Sequence, residues 1–290
     1  MGIWKKAFGA SVIKLATIGL ATTLSVGLGT AHAQTPSPLA EWQYSSGIQL
    51  QRLFMPTVPT WQVEVGLGVA GLPAASGMKR YRAQFGPALD IRYKNIAFLS
   101  TGEGLGANLF SFRHISVGGA LTYNIGRSPA QDRKTLEGMG TIHPVPELKL
   151  FATSVLSKSF PLTIRLDVRK QLKGSNGYVG DIGAYLPMPG SSEKFFWFVG
   201  PTLTAANTRY MTCYYGVNHN QSHATGYRYY KAHGGLESVG LGLSSDYFIT
   251  PHFIASFSAA YSRLLGSADN SPITQTPNEG IVALAILYKF

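Results

Sequence analysis

Apolar and polar residues alternate along most of the chain that follows Trp61. The clearest example is residues 79–94, where one face is apolar or aromatic and the other carries the charged side chains. The apolar face consists of Tyr81, Ala83, Phe85, Pro87, Leu89, Ile91 and Tyr93. A period of two predicts a β-strand, because a helix would mix the two sets. The stretch is also far longer than the roughly five or six residues of a typical globular strand.

Comparable alternation recurs along the chain and predicts eleven strands. The strongest further examples are residues 114–125, 162–171, 252–262 and 281–290. Weaker ones cover residues 61–71, 96–109, 147–157, 178–187, 195–205 and 236–248. Beyond the N-terminal region, no stretch has the length or apolar character of a membrane-spanning helix. The predicted fold class is therefore all-β.

Two all-β architectures fit this pattern, and they differ in which face of each strand is buried. A soluble sandwich or lipocalin-like barrel turns its apolar faces inward, whereas a membrane barrel turns them toward lipid. Short connections at 158–161 and 249–252 and long ones at 127–144 and 206–235 favour the membrane barrel. Charges in mid-strand also favour it, because they would line a wet lumen. We predict an antiparallel transmembrane β-barrel with these lumen-facing basic residues: Arg80, Arg82, Arg92, Arg165 and Arg169.

A barrel with both chain ends in the periplasm needs an even number of strands, and the sequence displays eleven segments. Either residues 41–50 contribute a strand, or the glycine-rich stretch 102–106 (GEGLG) divides one segment into two. Both solutions give about twelve strands.

Composition agrees with an exported barrel. Only 13% of the 290 residues are charged, against about 25% in typical soluble domains. Glycine is abundant, with 33 residues. The net charge of +11 favours an anionic neighbour such as lipopolysaccharide. The single cysteine, Cys213, excludes an intramolecular disulfide.

The N-terminus has the three-part layout of a secretory signal peptide. Residues 1–14 are basic, residues 15–29 are apolar and small, and Ala31-His32-Ala33 forms a small-x-small cleavage site. A membrane anchor is the alternative, but the apolar part is shorter than the roughly 20 residues that a spanning helix needs. We predict a signal peptide at 1–33 cleaved after Ala33, a linker at 34–59 and an outer-membrane barrel at 60–290.

The sequence predicts a protein that is not an enzyme, without catalytic, metal-binding or cofactor-binding residues. No G-x-S-x-G, phosphate-loop, dinucleotide or C-x-x-C motif is present. His219 and His223 have a spacing that could hold a metal on a helix, but their surroundings, rich in Asn, Gln, Gly and Tyr, indicate a solvated loop. His114 and Ser116 share a strand face, which we interpret as coincidence. The basic residues are spread along strands, which argues against nucleic acid as a partner.

Five segments carry a likeness to known proteins. They are 124–142 (NIGRSPAQDRKTLEGMGTI), 168–187 (VRKQLKGSNGYVGDIGAYLP), 200–217 (GPTLTAANTRYMTCYYGV), 234–250 (GGLESVGLGLSSDYFIT) and 261–274 (YSRLLGSADNSPIT). Together they resemble the MipA/OmpV family of outer-membrane proteins, in order from about Trp61 to Phe290. The loop LPAASGMKRYR at 72–82 departs from the family, whose members carry several acidic residues there. Binding through an acidic loop is therefore not expected.

The resemblance implies an outer-membrane β-barrel and a scaffolding role. The member that gives the family its name is described as bridging the lytic transglycosylase MltA and a bifunctional murein synthase. Other members are described as porin-like or as adhesins. The expected function is thus a scaffold or envelope partner for peptidoglycan remodelling. The alternatives are a porin-like channel for small anionic solutes and an outer-membrane hydrolase.

The last segment, IVALAILYKF, has Val282, Leu284 and Ile286 on one face together with Tyr288 and Phe290. It resembles the closing strand of bacterial outer-membrane barrels, which ends in Phe with an aromatic residue two positions earlier. We predict that Tyr288 and Phe290 form the C-terminal signal that the barrel assembly machinery reads. The other expected partners are the outer membrane and its lipopolysaccharide.

Deleting Phe290 should lower the amount of folded protein in the outer membrane, because the assembly signal loses its terminal aromatic ring. Membrane fractionation followed by a gel of boiled and unboiled samples measures the folded fraction. The Phe290→Tyr variant, which keeps an aromatic ring, should assemble like the wild type. Normal assembly of the deletion variant would contradict the assignment.

Overall fold

A computed structural model describes residues 59–94, 96–112, 115–156 and 161–290. The predicted signal peptide, nearly all of the predicted linker and the candidate strand at 41–50 lie outside these residues, as does His114.

Within the described residues, twelve antiparallel strands close into a single barrel. Each strand pairs with its neighbours in sequence, and the first strand pairs with the last. The strands are β1 Trp61–Pro73, β2 Tyr81–Tyr93, β3 Ala97–Ser100, β4 Gly104–Phe112, β5 Ile115–Asn124, β6 Val145–Val155, β7 Thr163–Gln171, β8 Tyr178–Pro187, β9 Phe195–Ala206, β10 Gly235–Phe248, β11 Phe253–Leu264 and β12 Asn278–Lys289. The predicted antiparallel barrel is confirmed.

Side chains alternate between the lumen and the outer surface along each long strand. In β12, Val282, Leu284 and Ile286 are 49%, 53% and 51% exposed, whereas Ala285 and Leu287 are 8% and 6% exposed. The outward positions of the other strands are likewise apolar and exposed, which forms a continuous apolar belt. A belt of this kind is the surface that a membrane barrel presents to lipid.

Aromatic side chains border the belt at both ends. Near the short turns, the rings of Trp61 and Tyr93 lie 4.8 Å apart, and those of Tyr288 and Phe290 lie 4.9 Å apart. On the strands, the exposed tyrosines near the long loops are Tyr81, Tyr178 and Tyr261. Such girdles mark the two membrane–water interfaces, and the short turns mark the periplasmic end.

The twelfth strand arises because the predicted segment 96–109 is divided. Strands β3 and β4 pair with each other across a turn at residues 101–103. Gly104, which follows this turn, has a φ of +86°, and a Cβ atom there would lie 2.2 Å from the carbonyl oxygen of Leu121. Only glycine, which has no Cβ atom, tolerates both this positive φ and the close approach of the carbonyl oxygen. The glycine-rich stretch therefore divides the segment, as one of the two predicted solutions required.

The long loops at the extracellular end contain short helices. The α-helices in the described chain are α1 Arg133–Leu136, α2 Thr208–Tyr215, α3 His219–Thr225 and α4 Gly266–Asp269, and Pro129–Gln131 forms a 3-10 helix. None of the helices in the described ranges is long and apolar enough to cross a membrane.

The predicted loop conformation at residues 219–223 is wrong, because these residues belong to α3, whereas His219 and His223 are exposed to solvent as predicted. The side chain of Asn218 accepts the N–H of Gln221 at 2.9 Å, and the Gln221 side chain accepts the N–H of Asn218 at 2.9 Å. Gly226, with a φ of +77°, follows the helix. Asn218 followed three positions later by Gln221 is a helix-start signal in the sequence. The alternation of apolar and polar residues does not reveal this signal.

Candidate functional site in the barrel lumen

Inward-facing side chains fill the barrel in three groups. An apolar group on β8–β12 and β2 lies near the periplasmic turns, a charged group on β2, β6–β8 and the β3–β4 turn lies beside it and extends toward mid-height, and a cavity lies beneath the extracellular loops. We refer to them as the apolar layer, the charged layer and the upper cavity.

The apolar layer is built from the periplasmic halves of the strands. Its members are Ala88, Tyr185, Phe196, Phe198, Phe248, Ile254, Ala285 and Leu287. Phe198 is 0% exposed, and its ring lies 6.2 Å from that of Tyr185. Side chains that line an open channel remain accessible to water, so the burial of these residues indicates that the lumen is packed around them.

The charged layer has one centre at Glu103. The turn between β3 and β4 carries this side chain into the lumen, where it is 2% exposed. It forms ion pairs with Arg92 of β2 at 2.9 Å and with Arg165 of β7 at 3.3 Å. Arg92 also pairs with Asp90 at 2.8 Å. Glu103 thus ties the hairpin tip to two strands on different sides of the barrel.

A second centre of the charged layer is Arg169 of β7. It lies 3.5 Å from the carboxylate of Asp167 and forms an ion pair with Asp181 of β8. Asp181 also accepts the hydroxyl of Thr204 at 2.5 Å. Buried charges require such partners, because removing an ion from water is costly unless opposite charges and hydrogen bonds surround it.

Four of the five predicted basic residues face the lumen. Arg92, Arg165 and Arg169 lie in the charged layer, and Arg82 lines the upper cavity. The sequence suggested a wet lumen around these charges. In the charged layer these arginines are instead largely buried and form ion pairs with carboxylates.

Arg80 does not face the lumen, which corrects the prediction for this residue. Strand β2 begins at Tyr81, and Arg80 is exposed in the preceding loop. Its carbonyl accepts the N–H of Ala74 at 2.8 Å, which closes that loop. Alternation determines direction only inside a strand, so it does not apply at Arg80.

Sequence reasoning missed Glu103, Lys149 and Asp181. Lys149 is 0% exposed, and its ammonium group lies 5.8 Å from the ring centre of Phe151. Alternation in β6 and β8 placed Lys149 and Asp181 on inward faces, so this signal was available. Glu103 had no such signal, because it lies in a turn.

The upper cavity has a volume of about 250 Å³. Side chains from most of the strands and from the extracellular loops line it. Its polar lining includes Ser76, Arg82, Asn124, Arg127, Gln131, Arg169, Thr202, Thr204, Tyr210, Tyr214, Tyr215, Glu237, Ser238, Ser262 and Glu279.

The extracellular loops cover the upper cavity with packed side chains. Met211 and Tyr215 of α2 pack in a cluster with Leu264 of β11. A second cluster joins Met139 of the β5–β6 loop to Met78 of the β1–β2 loop. These contacts hold the extracellular loops in place over the upper cavity, and we refer to the loops there as the cover.

Two glutamates of the upper cavity are hydrogen-bonded to this cover. The Tyr215 hydroxyl donates to Glu237 at 2.8 Å. The Ser76 hydroxyl donates to Glu279 at 2.8 Å, and the N–H of Gly77 donates to the same carboxylate. The carboxylates therefore anchor α2 and the β1–β2 loop.

Two arginines of the upper cavity have no carboxylate partner among the described residues. Arg127 is 5% exposed; one terminal nitrogen donates to the carbonyl of Tyr214 at 2.7 Å, and its Nε has no partner in the described chain. The buried Nε of Arg82 also lacks a partner there. Because guanidinium groups present several donors for anionic oxygens, these two residues are the best candidates for binding a ligand.

The reactive side chains of the loops give no comparable site. Burial raises the pKa of the Cys213 thiol, although Arg127 opposes this, so the sulfur stays protonated and weakly nucleophilic. His219 stacks on Tyr229, with 4.3 Å between ring centres. In the described part of the chain, no three His, Cys, Asp or Glu side chains are grouped to hold a metal ion.

Residues 65–290 match the sequence profile of a family described as MltA-interacting protein MipA. No curated protein sequence matches the chain.

Several solved structures of outer-membrane proteins are distantly similar. The NanC porin is 12% identical over 77% of this chain and 100% of its own, with a TM-score of 0.42. The translocator domain of autotransporter NalP from Neisseria meningitidis is 13% identical over 90% of this chain and 100% of its own, with a TM-score of 0.43. An outer membrane channel from Pseudomonas putida F1 is 9% identical over 81% of this chain and 97% of its own, with a TM-score of 0.41. Likenesses this distant say nothing about a pore or a substrate in this chain.

The Glu103→Gln variant should lower the free energy of unfolding by about 3 kcal/mol, because breaking a buried ion pair leaves uncompensated charge. Urea titration, with the folded fraction read from unboiled gels, measures the change. Glu137→Gln is the matched control, because Glu137 is exposed in a loop; it should change stability by less than about 0.5 kcal/mol. Equal urea midpoints for the two variants would contradict a structural role for the charged layer.

Proposed function

We propose, since this chain belongs to the family of MltA-interacting protein MipA, that it is a non-enzymatic outer-membrane scaffold for peptidoglycan-remodelling enzymes. The chain is an outer-membrane β-barrel whose short turns face the periplasm. The proposed partners are a lytic transglycosylase, as the family description suggests, and a murein synthase. Lipopolysaccharide, the barrel assembly machinery and cleavage after Ala33 remain predictions from the sequence.

The filled lumen is the observation that supports a scaffold over a channel. Lys149 of the charged layer and Phe198 of the apolar layer are both 0% exposed. A solute crossing the barrel would have to displace the packed side chains of the apolar layer or separate the buried ion pairs of the charged layer. Such a barrel resists conduction but offers a rigid platform at each end.

The periplasmic end carries exposed apolar side chains where a periplasmic enzyme would dock. Ile96, Leu156 and Ile249 are 53%, 52% and 49% exposed in or beside the short turns. Met188 and Pro189 of the β8–β9 turn line a shallow depression at the same end. Ile96, Leu156 and Ile249 lie in or beside turns that are spaced around the periplasmic rim, so a partner would contact the rim at several points.

A porin-like channel for small anionic solutes is the second candidate function. The observation that favours it is the pair of arginines without carboxylate partners in the upper cavity, Arg82 and Arg127. For conduction, the charged and apolar layers would have to open.

The purified barrel should capture a purified lytic transglycosylase of the MltA type in a pull-down. The double variant Leu156→Glu/Ile249→Glu should bind about tenfold more weakly or worse, because charge on the periplasmic apolar surface opposes its desolvation. Tyr229→Glu is the matched control, because Tyr229 is equally exposed, at 51%, but lies at the extracellular end. This variant should bind like the wild type.

Planar-bilayer recording distinguishes the two candidate functions. The scaffold predicts no steady conductance from the reconstituted wild-type barrel. Stable anion-selective steps, together with no capture of the transglycosylase, would overturn the scaffold proposal in favour of the channel.

A further inference from the structure

The barrel wall is interrupted on its extracellular half between β2 and β5. Strand β2 pairs with β3 only through Asp90–Tyr93, and β5 pairs with β4 only as far as Leu121. Above these positions, no strand in the described ranges lies between the two. We call this opening the lateral window; its sides are residues 81–89 and 122–124, and its lower edge is the turn at 101–103.

The lateral window is large enough for an acyl chain. At about 3.3 Å per residue, the unpaired edge from Tyr81 to Ala88 is roughly 26 Å long. At the hairpin tip, β2 and β5 are separated by three strand spacings, which is about 14 Å between strand centres. The buried cluster that contains both Met139 and Met78 joins the loops above the window. The opening is therefore bounded on all sides and faces the membrane.

The edge of β2 is polar at a depth where lipid surrounds the barrel. The N–H of Thr101 donates to the carbonyl of Leu89 at 2.9 Å, which shows that the odd-numbered residues direct their backbone groups toward this edge. Pro87 lies on the same edge and lacks an N–H, as is typical of edge strands. The backbone groups of Ala83, Phe85 and Pro87 on this edge pair with no strand of the described chain, and such groups are tolerated at membrane depth only where they border a polar cavity or a polar ligand.

The upper cavity reaches both sides of the window. Arg82 lines it from β2, and Asn124 and Arg127 line it from the β5 side. The two arginines without carboxylate partners thus lie at the margins of the opening, whereas Glu237 and Glu279 lie on β10 and β12. Positive charge is therefore concentrated where the cavity meets the window.

The size of the cavity restricts the ligand to one with a small headgroup. A volume of about 250 Å³ is below the roughly 300–1,000 Å³ of sites that enclose a whole drug-sized ligand. A longer molecule must project through an opening, and the membrane-facing side of the cavity is the lateral window.

We propose that the upper cavity binds the anionic headgroup of a single-chain amphiphile, a carboxylate or a phosphate, between Arg82 and Arg127, with its acyl chain leaving through the lateral window into the outer leaflet. This inference does not rest on the scaffold function. The headgroup belongs either to a fatty acid or to a lipid phosphate, and the choice of probe distinguishes the two.

The test uses the full-length barrel in nanodiscs of zwitterionic lipid, titrated with dodecanoate and with dodecyl phosphate. Saturable binding of at least one probe is expected, and the preferred probe identifies the headgroup. Arg82→Gln and Arg127→Gln should each weaken binding by about tenfold or more, because each removes a charged donor. Arg80→Gln is the matched control, because it removes an exposed arginine two residues from Arg82 and should leave binding unchanged.

Two results would overturn the headgroup site. One is that neither probe binds more tightly than dodecanol, which has the same chain without charge. The other is that Arg80→Gln weakens binding as much as Arg82→Gln does. Unboiled gels of each variant confirm that the barrel is folded before binding is measured.

A dodecanoate probe with a photoreactive diazirine near the end of its chain tests the route through the window. Cross-links mapped by mass spectrometry should fall on residues 83–88 of β2 and on the neighbouring part of β5. Cross-links confined to the extracellular loops at 207–234 would show that the chain leaves upward and would overturn the window.

Discussion

Every backbone polar group at membrane depth must find a hydrogen-bond partner, because lipid supplies none. This constraint accounts for the closed sheet, in which β1 pairs with β12 from Glu64↔Lys289 to Gly71↔Val282. It also accounts for the even strand count. Because the β3–β4 segment is divided into two strands, the first and last strands run antiparallel and can pair with each other. The constraint is relaxed along the upper edge of β2, where no strand of the described chain pairs with it. That exception gives the lateral window its functional interest.

A second constraint operates inside the barrel, where charges are removed from water. Arg92 and Arg165 converge on Glu103, and Arg169 lies between two aspartates. The pair between Glu103 and Arg165 joins segments that are 62 residues apart in sequence, so it fixes the shape of the lumen as well as filling it. A lumen stabilised in this way favours a rigid, closed barrel. Scaffolding is compatible with such a barrel, whereas conduction would require the same pairs to separate.

Arginines therefore have two different roles in this protein. The arginines of the charged layer have carboxylate partners and contribute to the fold. Arg82 and Arg127 border a cavity and have no carboxylate partner in the described chain. The distinction depends on partners rather than on burial, because Arg127 is as buried, at 5% exposed, as Arg165. Ligand binding is expected where the N–H donors of an arginine have no carboxylate partner.

Alternation with period two is a local property, so the sequence by itself determined the strands, their lipid-facing sides and the inward direction of Arg82, Arg92, Arg165 and Arg169. Alternation could not predict the structure of residues outside strands: Arg80 lies in a loop, and residues 219–225 form a helix. Only the tertiary structure placed Glu103 between Arg92 and Arg165, and left Arg82 and Arg127 without carboxylates at an opening in the wall. These relations depend on strand register and on where a hairpin ends. Both are set by contacts between distant segments, which no local pattern encodes.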